Sequence, residues 1–156
     1  YRDKEEYEDA IAMFTKAISL KSDYVQAYNN LGALYKDKEQ YENAIEMFTK
    51  VKELQPDHQN SYYNLALIKK EQGQSEEAIE LLLKVLDLNP EHSDAKYNIA
   101  MIKKDKGLLQ EAKKYLQDIL NVVQLEKVIL DRPRRILASE TLFSIHIFNR
   151  WWNTHF

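Results

Sequence analysis

Shifted by 34 residues, the sequence matches itself, and a period of that size restricts a chain to architectures made by stacking one small unit. Tyr1 through Lys16 aligns with Tyr35 through Lys50, identical at 12 of 16 positions. Ala10, Ala44, Ala78 and Ala112 hold the same register, as do Asn30, Asn64 and Asn98, Pro56 and Pro90, and Gly73 and Gly107. Chance does not keep several residue types on one spacing.

Each unit carries two amphipathic patterns of helical period. Ala27, Tyr28, Leu31, Leu34 and Tyr35 follow the first; Tyr41, Ala44, Ile45, Phe48, Val51 and Leu54 follow the second. Pro56 ends the second helix, because it lacks an N–H and does not fit a helix interior. The spacing predicts helices over 26–37, 41–54, 60–71, 75–88, 94–105 and 109–123, with a lone second helix over 7–20 in front. Gly32, Ala66 and Ala100 on the first helices, and the alanine series on the second, stand where paired helices must approach closely.

Composition narrows the function classes. The chain has 156 residues, 44% hydrophobic and 30% charged, with three Gly, three Pro and no Cys, which excludes disulfide scaffolds, thiol enzymes and thiolate metal sites. The net charge of −3 gives no support for nucleic-acid binding, but it hides a split. Residues 1–126 hold 17 basic and 23 acidic side chains, whereas 127–156 hold five and two. All ten Tyr precede that boundary and both Trp follow it. The longest apolar-leaning stretch, Ile136 to Phe148, contains Ser, Glu, Thr and His, and at 13 residues falls short of a membrane span. A cytoplasmic location is expected, with the lumen of the endoplasmic reticulum as the alternative if the chain is part of a membrane-anchored protein.

Tyr28, Leu31, Gly32, Tyr35, Tyr41, Ala44, Phe48 and Pro56 resemble the signature of the tetratricopeptide repeat (TPR) family, a 34-residue helix-turn-helix. The resemblance covers about residues 1–123. It implies an all-α fold, a right-handed superhelical solenoid of antiparallel helix pairs. The complete units are 25–58, 59–92 and 93–126, after a partial unit at 1–24 and before a non-repeat tail at 127–156. Two departures stand in the last unit: Lys96 replaces the early aromatic, and Gln124 the final proline, so its second helix is expected to run towards Leu130. The opening unit has Ser22 in place of proline. Its lone helix should expose Ile11 or Phe14 unless further repeats lie upstream of Tyr1. The run Asn64 to Gly73 is similar to repeats of O-linked N-acetylglucosamine transferase and related TPR glycosyltransferases, which implies a place beside a catalytic domain.

No phosphate loop, dinucleotide fingerprint, nucleophile elbow or His-Glu-x-x-His occurs, so neither catalysis nor a cofactor is expected of these residues. His58 and His92 are one period apart at equivalent turns, a spacing that repetition explains without a metal; His146 and His155 have no carboxylate at ligand spacing. Glu5, Glu6, Glu76 and Glu77 sit at helix starts, where the dipole favours acids.

The informative row is Asn30, Asn64 and Asn98. The TPR resemblance places it on the concave face, like the asparagine ladder with which some members grip the backbone of an extended peptide. A carboxamide suits that role because it both donates and accepts. The competing reading is an amide bonded within its own repeat or to water. Asn29, Tyr63 and Tyr97 neighbour the row, and Lys36, Lys70 and Lys104 form another that would attract acidic peptide residues, although Asp37, Glu71 and Asp105 follow it directly. Asp94 stands where a chaperone carboxylate clamp needs a cation, so no such clamp is expected. The expected role is a protein-interaction adaptor or scaffold; the alternatives are the substrate-selecting arm of a glycosyltransferase, and a spacer or oligomerisation module. For the tail, a capping helix, a hydrophobic partner-binding segment and a non-native end all fit the pattern of Phe143, Trp151 and Trp152.

Overall fold

The computed structural model describes the backbone of residues 2–130 and the side chains of residues 6–121. The tail readings, with His146, His155, Trp151 and Trp152, lie outside the described residues. Among the described residues seven helices follow in order: α1 (Arg2–Leu20), α2 (Val25–Asp37), α3 (Tyr41–Leu54), α4 (Gln59–Glu71), α5 (Ser75–Leu88), α6 (Ser93–Asp105) and α7 (Leu109–Leu130). Helices α2 and α3, α4 and α5, and α6 and α7 pair within a unit; α1 packs on α2, α3 on α4, and α5 on α6. The result is an all-α solenoid, as expected. No described helix is long and apolar enough to cross a membrane.

Two ends differ from the periodic pattern. Helix α1 begins at Arg2 rather than near Tyr7, and the Lys and Glu of Asp3 to Glu6 extend it at little cost. The matching residues Lys38 to Gln40 form a turn after α2. Helix α7 continues to Leu130, where no proline interrupts it. Ile11 and Phe14 are half-buried, since α2 covers their side of α1; the exposed apolar residues there are Met13 (72% exposed) and Leu20 (80%). The Tyr7 hydroxyl donates to Leu34 O at 3.1 Å and ties α1 to the end of α2.

Small residues set the helix separations. Ala44, Ala78, Ala112, Ala95 and Ala100 are fully buried, and Ala66 nearly so. A Cβ at Gly32 would lie 2.9 Å from Cε1 of Phe48, itself fully buried beneath it. Around these contacts Phe48, Leu65 and Ile68 fill one core cluster, Leu82, Val85, Ile99 and Ile102 a second, and Ala112 and Leu116 a third.

The signature tyrosines fasten the loops. Tyr28 Oη donates to Ser22 O at 3.2 Å, and Tyr62 Oη to Pro56 O at 2.9 Å. Lys96, in the same place of the next unit, reaches Glu91 Oε2 at 3.5 Å, so an ion pair replaces the phenol. Within the units, the turns need a left-handed residue. Gly73 (φ 74°) and Gly107 (φ 77°) supply it, whereas α2 is followed by Glu39 at φ 58°.

Two stability measurements check this packing. Gly32→Ala should lower unfolding free energy by about 1–3 kcal/mol in urea titration, because the methyl group must displace the Phe48 ring. Glu39→Gly should raise it by up to about 1 kcal/mol, the left-handed penalty of a side chain being partly offset by glycine's extra freedom when unfolded.

Candidate peptide-binding face

The three asparagines occupy the same position on α2, α4 and α6, yet they are held differently. Asn30 Oδ1 accepts from Gln26 Nε2 on its own helix at 2.9 Å. Asn64 donates through Nδ2 to Asn60 O at 3.0 Å, and its Oδ1 accepts from Lys36 Nζ of the preceding unit at 2.8 Å. Asn98 repeats the arrangement, with Nδ2 on Asp94 O at 2.9 Å and Oδ1 accepting from Lys70 Nζ at 3.0 Å. It also donates to Tyr63 Oη at 3.2 Å, and only 8% of its surface is exposed.

The structure therefore joins two rows that look separate in the sequence. Each lysine near the end of one first helix reaches the asparagine 28 residues on, across the junction between units. Neither lysine has a carboxylate partner among the described residues, whereas Lys50, Lys69, Lys96 and Lys103 each do. The signal for this pairing was present as two periods offset by 28, but nothing in a sequence says which rows face each other. Lys104 is half-buried on the same helix face.

The neighbouring row is unequal as well. Tyr63 lies against the His92 ring, centroids 5.0 Å apart, and bridges to Asn98. Burial raises the pKa of its phenol above the ordinary value and the nearby Asp94 adds to this, while the Asn98 bond opposes it. Tyr97 is half exposed, at 51%. Asn29, in the corresponding place one unit earlier, has a buried Oδ1 without a donor among the described residues.

The two turn histidines cap helices. Nδ1 of His58 accepts from Ser61 N, and Nδ1 of His92 from Ala95 N, each at 3.2 Å, satisfying an orphan donor at the start of α4 and α6. Among the described residues, no group of three or more His, Cys, Asp or Glu side chains could hold a metal ion.

Three family models cover most of the chain: one described as TPR repeat over residues 1–39, and two described as tetratricopeptide repeat over 23–91 and 69–127. The chain belongs to the tetratricopeptide repeat family. Solved structures of MamA share its fold. One crystal structure of MamA is 27% identical with a TM-score of 0.73, covering 81% of this chain and 74% of that one. Another is 26% identical with a TM-score of 0.71, covering 88% and 74%. MamA 41-end from Desulfovibrio magneticus RS-1 is 23% identical with a TM-score of 0.69, covering 79% and 70%, and shows likeness of fold alone. No curated protein matches the sequence.

Adjacent TPR units are also tied at the rim, where Lys106 meets Glu76 at the start of α5. The hydrogen bond from Lys106 holds the Glu76 carboxyl below its ordinary value, helped by a backbone bond and the ammonium charge. A depressed carboxylate contributes stability that is complete above the ordinary value of 4.5 and is lost as pH falls through the folded value. Carbon-detected NMR titration should give Glu76 a midpoint below 4.5, rising towards it in Lys106→Met.

Proposed function

We propose that the TPR array is a protein-interaction scaffold that holds an extended segment of its partner along the face made by α2, α4 and α6. The main chain of the segment exchanges hydrogen bonds with Asn30, Asn64 and Asn98, flanked by Asn29, Tyr63, Tyr97 and the Lys36, Lys70, Lys104 row. The observation that carries this reading is the placement of carboxamides in register on consecutive first helices, with Lys36 and Lys70 directed at them instead of at a carboxylate.

The exchange has a cost that limits affinity. Asn64 and Asn98 already accept a hydrogen bond from lysine, so a peptide N–H replaces that donor, and the ammonium moves to a peptide carbonyl. Hydrogen bonds contribute about 0.5–1.5 kcal/mol each net, and replacement keeps three of them near the low end, about tenfold in affinity. Side-chain contacts at Tyr97, Leu67 and Met101 must supply the rest.

The run from Asn64 to Gly73 supports a second reading, in which the same face selects substrates for an attached glycosyltransferase. The two readings share one surface and differ in what is joined to it.

Panning of a displayed random-peptide library on the whole chain tests the proposal. Enriched peptides should bind about tenfold more weakly to the Asn30→Ala, Asn64→Ala, Asn98→Ala triple variant, with its helical circular dichroism retained. Unchanged affinity, or no enrichment by the parent chain, overturns the ladder; a parent chain that only self-associates favours a spacer.

A further inference from the structure

A cleft with an open volume of about 340 Å3 lies at the lip of the array, between the α2–α3 turn and α4. Its walls are Tyr41 and Leu67, over the buried Ile68, and its mouth carries Lys36, Asp37, Glu39 and Glu71. The positive charge of Lys36 is directed at Asn64, and none of the three carboxylates forms an ion pair among the described residues. Burial first, and then the charges of Glu39 and Glu71, hold the Tyr41 phenol above its ordinary pKa.

The neighbouring periods carry parts of this combination. One period later Ser75 replaces Tyr41 and Gly73 replaces Glu39, so the aromatic wall and one acid are missing while Glu71, Met101 and Ile102 remain. One period earlier Asp3, Glu5, Tyr7 and Asp37 keep the acids and the ring, but Ala33 stands in place of Leu67.

From this geometry we infer that the cleft between Tyr41 and Leu67 receives a basic side chain, arginine before lysine, from a protein partner. The aliphatic stem lies against Leu67, the guanidinium stacks on the Tyr41 ring, and its N–H groups donate to Glu39 and Glu71. Arginine fits better because its planar head can stack and donate at once. The site is charge-complementary to a basic segment, as is the array as a whole, with 23 acidic against 17 basic residues over 1–126. It shares Lys36 and Leu67 with the proposed peptide face but uses none of the asparagines, so the ladder variants and the cleft variants test the two separately.

Nitrogen-proton NMR of the whole chain, titrated with N-acetyl-arginine amide and with its neutral isostere N-acetyl-citrulline amide, reads the site directly. Saturable shifts should centre on Tyr41, Leu67, Ile68 and Glu71, with the citrulline compound about tenfold weaker. The Glu39→Gln, Glu71→Gln double variant and Tyr41→Ser should each weaken arginine about fivefold or more while leaving the rest of the spectrum in place. Equal shifts with citrulline, a response that never saturates, shifts centred instead on Glu111, Tyr115 and Asp118 of α7, or full binding by the double variant would each overturn the assignment.

Discussion

Everything in this array depends on how closely the two helices of a unit can approach. Gly32 against Phe48 sets the limit in the first complete unit, and buried Ala66 and Ala100, with the Ala44, Ala78 and Ala112 series, set it along the stack. Once the backbones are close, the larger side chains have one place to go. Phe48, Leu82 and Leu116 fall in register beneath the first helices, and Leu65 and Ile99 press back from the other side. Among the described residues the first two clusters are each shared by neighbouring units, as expected of a one-dimensional stack, while the third lies between α6 and α7.

Between units the ties are polar as well as apolar. Lysine to asparagine along the first helices and Lys106 to Glu76 at the start of α5 both cross a junction. An ammonium held by a neutral amide keeps most of its charge available to a ligand, unlike one neutralised by a carboxylate. The face of the first helices thus presents two cations while the turn beside it presents acids without an ion pair among the described residues, so opposite charges are separated along the surface of a chain whose net charge is small.

Much of this was legible in the sequence. Periodicity placed α3 and α5 at their observed ends, and the small residues announced the close contacts, because burial of a stripe and exclusion of bulk leave marks at every repeat. Conformation at the ends was less legible. Asp3 to Glu6 and Asp37 to Gln40 are nearly the same sequence, yet the first continues a helix and the second contains its end and the following turn, where Glu39 takes up the left-handed conformation. The asparagine row could be found, but not its lysine partners, which come from the neighbouring unit. The histidines read as mere repetition; only coordinates show Nδ1 directed at a helix start.

The substitution of Asn29 for tyrosine has a mechanical consequence. Where Tyr63 stacks on His92 and bonds Asn98, two consecutive first helices are fastened by a rigid ring; Asn29 has no donor for its oxygen and offers no such brace. The ties between consecutive first helices are therefore unequal: α4 and α6 share a ring as well as Lys70 to Asn98, whereas α2 and α4, beside the Tyr41 cleft, have Lys36 to Asn64 without the ring.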